Sequence, residues 1–248
     1  MNIRPFLHPN IQVKAEQIGN EGGVVVTIDN FLLDAEQMVE YAAKGAYFLP
    51  AGMLYPGVQA PMPAPYPLYA HFFTQALIPE AFSLGTKDVI DCRSTFSMMT
   101  VPADKVGIRQ RIPHMDVADP DNIVLLHYLF DDPDGGTAFY RHRKTGFEAM
   151  DLERRKLYEE VLKDEIAAHP QDEYICGHSP IFEQIARYPA KFNRAILYRS
   201  NTLHAAAIPP GYALSSDPRK GRLTGNTLFR FGDADSFFGP YRRKAQIA

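Results

Sequence analysis

From residue 88 onward the sequence is a succession of short extended segments. Val89 to Thr100, Ile123 to Phe130, Thr137 to Arg141, Arg194 to Tyr198 and Leu223 to Phe231 are rich in β-branched and aromatic residues. Turn signals such as Asp131-Asp132-Pro133-Asp134-Gly135-Gly136 separate some of them. Strands must pair and must bury a face, so five of them in one stretch demand a sheet structure that covers itself or is covered by helices. One insertion interrupts the series. Ala149 to His169 is dense in Glu, Lys and Leu and reads as a helix ending at Pro170. Ser179-Pro180 carries the N-cap and N1 residues of another short helix.

Before residue 88 the chain has a different character. Val24-Val25-Val26-Thr27-Ile28, after Gly22-Gly23, is a strand. Asp34 should cap a helix with Gln37 at the capping-box position and an apolar face of Met38, Val39, Tyr41 and Ala42. The uncharged stretch Gly45 to Pro79 is long enough to mislead a hydropathy reading. It carries Pro50, Pro56, Pro61, Pro63, Pro65, Pro67 and Pro79, however, which break a helix or remove backbone donors, so it is no membrane span. Tyr55 to Tyr69 reads as an extended, polyproline-like loop, with a short helix around Leu68 to Leu77. No internal repeat or interdomain linker is visible. The expectation is a single domain over 1–248, mainly β with flanking helices. It comprises an N-terminal helical and proline-rich layer (1–87), a β-sandwich or barrel core (88–232) with a helical insertion (143–180), and a tail (233–248).

Composition narrows the function classes. The 26 Lys and Arg against 29 Asp and Glu leave a formal charge of −3, which gives no general electrostatic hold on nucleic acid. Cys92 and Cys176 form no CxxC pair, so a disulfide framework or zinc knuckle is not expected and a reducing cytoplasm suits the thiols. The first residues, Met-Asn-Ile-Arg-Pro-Phe, lack the apolar run of a secretory signal. These features together suit a soluble enzyme.

The candidate chemistry begins at His114-Met115-Asp116. On an extended segment, residues i and i+2 share a face, so an imidazole and a carboxylate meet there while Met115 turns into the packing. With a second histidine they would complete a 2-His-1-carboxylate triad, which leaves positions on Fe(II) open. The triplet alone is weak, since chance supplies roughly half a His-x-Asp in a chain of this composition. A surface turn at Asp119-Pro120-Asp121 is the alternative. His204 is the apt third ligand, after a strand and a polar turn; a buried structural histidine is its alternative role. His127 lies inside a strand, and His142 has the cationic neighbours Arg141, Arg143 and Lys144. Further on, Arg222 and Thr224 share a strand face, and a guanidinium beside a hydroxyl suits a carboxylate, unless the arginine makes only a surface ion pair.

In this order, His114-x-Asp116, Tyr128-Leu129-Phe130 with Gly135-Gly136-Thr137-x-Phe139, Asn193-Arg194 with Leu203-His204, and Arg222-x-Thr224 resemble the 2-oxoglutarate- and Fe(II)-dependent oxygenases. The prolyl-4-hydroxylase-like branch is the most similar, and its members also open with a segment like Val26-Thr27-Ile28-Asp29-Asn30-Phe31-Leu32. The resemblance spans roughly residues 24–232 and implies a double-stranded β-helix (jelly roll, cupin-like) with N-terminal helices bracing one sheet. It implies His114, Asp116 and His204 as Fe(II) ligands. Arg222, Thr224 and Tyr128 would then hold 2-oxoglutarate, and a small-molecule or peptide substrate would be hydroxylated with release of succinate and CO2. The branch commonly uses Lys for the co-substrate, so a peptide-proline substrate does not carry over. The long gap from His204 to Arg222 requires a loop over Pro209 to Lys220, in which Arg219 or Lys220 could stand in for Arg222. The proline-rich loop and the insertion Arg143 to Pro180 are candidates for the pocket rim. A non-catalytic cupin-like metal- or ligand-binding protein is the alternative, and the aromatic run Asp235 to Tyr241 could serve a homodimer.

Overall fold

In a computed structural model, which describes residues 8–52, 55–233 and 235–238, eleven strands form two antiparallel sheets. The chain opens with β1 (Gln12–Ile18) and β2 (Gly23–Asp29), then α1 (Glu36–Lys44), the two-residue β3 (Leu49–Pro50) and β4 (Gly57–Pro61). Next come α2 (Pro65–Thr74), α3 (Leu77–Ala81), β5 (Asp88–Met99) and the one-turn α4 (Ile108–Arg111). β6 (Asn122–Tyr128), β7 (Thr137–His142), α5 (Leu152–Ala168), β8 (Phe182–Tyr188), β9 (Ala195–Arg199), β10 (His204–Ala206) and β11 (Leu223–Gly232) complete the order.

The large sheet runs β1-β2-β9-β6-β11-β5-β4-β3 and the small one β10-β7-β8. A single antiparallel bridge from His114 to His204 extends the small sheet by what amounts to a vestigial strand. Counted with that bridge, the chain from β5 to β11 builds two facing four-stranded sheets, β9-β6-β11-β5 and His114-β10-β7-β8. It crosses repeatedly between them, which is the double-stranded helix of a jelly roll.

Side-chain alternation along the strands builds four layers. Ile123, Leu125, Ala195, Leu197, Phe229 and Phe231 point to one face of the large sheet and pack with Met38 and Ala42 of α1, Tyr66 and Ala70 of α2 and Ile78 of α3. On the opposite face Val124, Leu126, Tyr128, Ile196 and Tyr198 meet Phe139 and Tyr188 of the small sheet. The outer face of the small sheet, with Ala138, Tyr140 and Ala205, lies under Tyr158 and Leu162 of α5. β6 is therefore covered on both faces and buried at every position, which is why Asn122-Ile-Val-Leu-Leu-His-Tyr reads as continuous rather than alternating.

Several local expectations give way. Asp34 does not cap α1; Ala35 already has helical dihedrals, no side chain caps the end, and the Asp34 carboxylate accepts from the Gln37 amide at 3.2 Å. Ser179-Pro180 starts no helix. The Ser179 hydroxyl accepts from Phe182 N at 3.0 Å, and burial of Ile181 and Phe182 draws the chain into β8 instead. The segment expected as a polyproline-like loop is largely regular. Gly57–Pro61 adds to the edge of the large sheet, where prolines at the strand's margins cost few ladder bonds. α2 begins at Pro65 because the first helical turn needs no N–H donors. Met53 and Leu54 beside it lie outside the described residues, as do 1–7 and 239–248, which hold part of the aromatic C-terminal run. Among the described residues no helix is long and apolar enough to cross a membrane.

Candidate metal centre

The two segments that carry the candidate ligands are locked together through their backbones. His114 N donates to His204 O and His204 N donates to His114 O, both at 2.9 Å, and Asp116 N donates to Ser200 O at 2.9 Å. The i, i+2 geometry does the rest. Asp116 stands beside His114, while Met115 turns into the cluster under α5. One ligand atom from each of His114, Asp116 and His204 lies within 4.8 Å of the others. His114 Nε2 is 3.8 Å from Asp116 Oδ1, and His204 Nε2 is 3.6 Å from Asp116 Oδ2. Adjacent ligands of a cation bound at 2.0–2.2 Å stand about 3 Å apart, so side-chain rotations that move the ligand atoms by under about 1 Å bring this set to bonding distance.

The hydrogen bonding around the imidazoles also suits a metal. His204 Nδ1–H donates to Thr202 O at 2.8 Å, which leaves the Nε2 lone pair directed at Asp116. The His114 imidazole is held down to about 4, first by desolvation on its protein side and next by the His204 ring, with Asp116 acting in the opposite sense. A neutral imidazole is the form a metal requires. His204 is buried, with 7% of its side chain exposed, whereas His114 and Asp116 are 48% and 39% exposed. The centre therefore has an inner wall, where the rings of Tyr198 and Phe139 lie 4.8 and 6.3 Å from the His204 ring, and an open outer side.

His127 and His142 are structural. His127 faces the helical layer, bonded to Tyr66 Oη at 3.0 Å and Asn193 Oδ1 at 3.1 Å, and burial holds it down to about 4. His142 is buried against Glu165 at 2.6 Å and Thr145 at 2.8 Å.

Arg222, Thr224 and Tyr128 share the interior face of the large sheet. Thr224 pairs directly with Tyr128 across β11 and β6, and Arg222 sits two residues before Thr224. The Tyr128 hydroxyl spans to Thr137 Oγ1 of the small sheet at 2.8 Å, and its pKa is pushed up to about 12, chiefly by burial. Thr224 is committed elsewhere, donating to Ser97 O at 3.2 Å. Arg222 is only 3% exposed. Its Nε and Nη2 donate to Gly135 O at 2.7 Å and Gly136 O at 3.2 Å, and it makes no ion pair with a carboxylate among the described residues. The Gly135-Gly136 turn comes this close because it has no side chains. A Cβ on Gly135 would stand 2.6 Å from the Phe130 ring, and one on Gly136 would run into the Tyr188 carbonyl.

A buried guanidinium without a counter-charge is a costly arrangement that a bound anion relieves. Two tyrosines outside the expected ligand set belong to this interior. The Tyr55 hydroxyl lies against Arg222, buried and with no aligned hydrogen-bond partner. Tyr198 has its pKa raised well above the usual phenol value, first by burial and next by Asp116 and Tyr128, with Arg222 opposing. Tyr198 lies between the two sheets in one cluster with Tyr128 and Phe139, with its ring 4.8 Å from the His204 ring. Only its alternation on the strand leading to His204 could have marked Tyr198 beforehand, and Tyr55 was marked only as the first residue of the proline-rich loop expected at the pocket rim. Arg219 is at the surface, forked onto Glu40 of α1 at 2.8 and 3.0 Å, and Lys220 points to Asp217 at 4.0 Å. The loop over 209–220 is irregular, as expected. Of the expected rim elements, α5 covers the outer face of the small sheet and Gly57–Pro61 and α2 belong to the sheet edge and the helical layer, whereas Tyr55, at the start of the proline-rich loop, stands against Arg222 and packs in one cluster with Tyr174 of the insertion.

Residues 9–229 match the sequence profile of a family described only as of unknown function (DUF6445), and the chain belongs to that family. No curated protein matches the sequence. Among solved structures the chain is similar to a non-heme alpha-ketoglutarate-dependent carbocyclase, SnoK, from nogalamycin biosynthesis, with a TM-score of 0.38 and 11% identity. That alignment covers 88% of this chain and 85% of the other.

Proposed function

We propose that the protein is a 2-oxoglutarate- and Fe(II)-dependent dioxygenase that hydroxylates a small-molecule or peptide-side-chain substrate, with release of succinate and CO2. The observation that carries this reading is the convergence of His114, Asp116 and His204 on one point, from segments about ninety residues apart. A three-ligand set on one side leaves the remaining positions of the ion for co-substrate and oxygen, and the bound iron and 2-oxoglutarate would supply the oxidising power. The chain supplies the rest. Thr202 O holds the tautomer of His204, and Ser200 O fixes the backbone of Asp116. Arg222, with Tyr55 and Tyr128 near it, would take the distal carboxylate, a role that suits a buried guanidinium with no carboxylate of its own. Tyr198 and Phe139 exclude water from the inner side of the triad.

Anaerobic titration of the protein with Fe(II) and 2-oxoglutarate tests this. The weak visible absorption of the chelate should appear in the natural protein and vanish in Asp116→Ala and His204→Ala. Metal binding with neither that absorption nor succinate formation under air would refute the oxygenase reading and support a non-catalytic metal-binding protein.

A further inference from the structure

The free edges of the two sheets are not alike. β3 ends the large sheet with two residues, one of them Pro50. In the small sheet a register shift opposite Phe139 and Tyr140 breaks the pairing surface of β8, and the His114 bridge covers β10. Short strands, prolines and bulges all protect a sheet edge against pairing with another chain. β1 has none of them. Its seven residues, Gln12–Ile18, pair with β2 in one unbroken register. On its other side no backbone hydrogen bond reaches it from any described residue. Gln12, Val13, Lys14, Ala15 and Gln17 are exposed.

β1 does carry charge, and its arrangement is informative. Lys14 and Glu16 share one face of the strand and form an ion pair at 2.7 Å, with side chains 71% and 38% exposed. Charge deters edge pairing where like charges come opposite each other. Here one antiparallel register brings opposite charges together. About a two-fold axis through Ala15, Lys14 of each copy lies across from Glu16 of the other, so two complementary pairs form. Ala15, a small residue, meets its own copy at the axis, and Val13 meets Gln17. Moving the axis by one residue sets Lys14 against Lys14 or Glu16 against Glu16. The charge order therefore admits one register and rejects its neighbours.

We propose that β1 is a homodimerisation edge, where two copies pair β1 to β1, antiparallel about Ala15, and join their large sheets into one. Main-chain hydrogen bonds supply the affinity of such an added strand, and the side chains supply its selectivity. The proposal is independent of the oxygenase reading, because neither β1 nor its charges belong to the metal centre.

Sedimentation velocity of the full chain in about 50 mM salt, where charge pairs are little screened, tests it. The species should approach twice the 27.9 kDa of one chain, with a dissociation constant of about 1–100 µM, as a small one-strand interface allows. Lys14→Glu and Glu16→Lys each bring like charges face to face and should weaken the dimer about tenfold or more. The double variant Lys14→Glu/Glu16→Lys puts opposite charges back across the axis and should restore dimerisation, which a folding defect would not do. Natural and doubly substituted chains should not dimerise with each other, since lysine would then face lysine and glutamate face glutamate. Native mass spectrometry of an isotope-labelled mixture reads this. A monomer at about 200 µM, a dimer that either single variant leaves intact, or free mixing of natural with doubly substituted chains overturns the proposal.

Discussion

Arg222 and Arg194 are both largely buried arginines with two strong hydrogen bonds, yet replacing each by Met should have opposite consequences. Arg222 bonds only to the carbonyls of Gly135 and Gly136. Hydrogen bonds from a charged donor contribute about 1.5–3 kcal/mol each, so their loss costs about 3–6 kcal/mol. Removing an uncompensated charge from the interior returns several kcal/mol of desolvation penalty. The two effects nearly cancel, and Arg222→Met should leave stability without ligand within about 2 kcal/mol of the natural protein. Arg194 is different. It forks onto Asp29 at 2.6 and 3.0 Å, and it is the chief reason the Asp29 carboxyl sits below its usual range. Its loss strands a mostly buried carboxylate with only Lys191 at 3.3 Å, and the side chains of the pair are just 20% and 16% exposed. A fully buried pair broken on one side costs 3–5 kcal/mol; with this partial exposure we expect about 2–3 kcal/mol for Arg194→Met. Urea unfolding followed by circular dichroism measures both, since the chain has no tryptophan to report. In the metal-loaded protein, Arg222→Met should weaken 2-oxoglutarate by about 100-fold or more, the equivalent of two charge-assisted bonds, and Arg194→Met by less than about threefold. Equal destabilisation by the two substitutions, together with unchanged 2-oxoglutarate affinity in Arg222→Met, would refute the assignment of Arg222 to an anion.

His127 should make folding sensitive to acid. Its folded pKa of about 4 lies below the unfolded value of about 6.5, so the unfolded chain binds the extra proton. Stability from this group is complete above pH 6.5 and falls by up to about 3 kcal/mol as pH drops towards 4; His127→Gln should flatten that slope in urea titrations. Asn193 holds a left-handed backbone (φ 62°) and ties Leu32 N, Leu32 O and His127 together. Asn193→Gly keeps the dihedral and loses three buried hydrogen bonds, at about 2–4 kcal/mol by chemical denaturation. Gly136→Ala should cost more than about 2 kcal/mol, because the new methyl meets the Tyr188 backbone rather than a side chain that can move. A Gly136→Ala protein as stable as the natural one would show that the turn is looser than its contacts indicate.

The β core and its order were legible because β-branched runs and turn residues announce strands wherever the chain meets them. All five extended segments from 88 onward became strands, with boundaries within two residues. The convergence of His114, Asp116 and His204 was legible because i, i+2 alternation is a property of any extended chain, and His114-x-Asp116 needed only a partner across the sheet. What escaped was set by tertiary context. β1, Gln12–Ile18, is mostly exposed and carries charges, so only its pairing with β2 makes it a strand. The proline-rich segment was misread because proline excludes a helix interior but not a helix's first turn or a sheet's edge. Ser179-Pro180 offered a helix start, and burial of the next two residues overrode it. Tyr55 was marked only as part of the proline-rich rim candidate and not by its partner, a guanidinium 167 positions away in sequence.

The two histidines of the triad are direct neighbours across one pair of reciprocal backbone hydrogen bonds. The spacing of facing chains in a sheet, rather than any loop's length, therefore fixes how far apart those rings stand. Insertions in the loops that follow α5 or β10 can reshape what reaches the centre without moving its ligands. A lineage carrying this scaffold is free to exchange what surrounds the triad while the three side chains stay put.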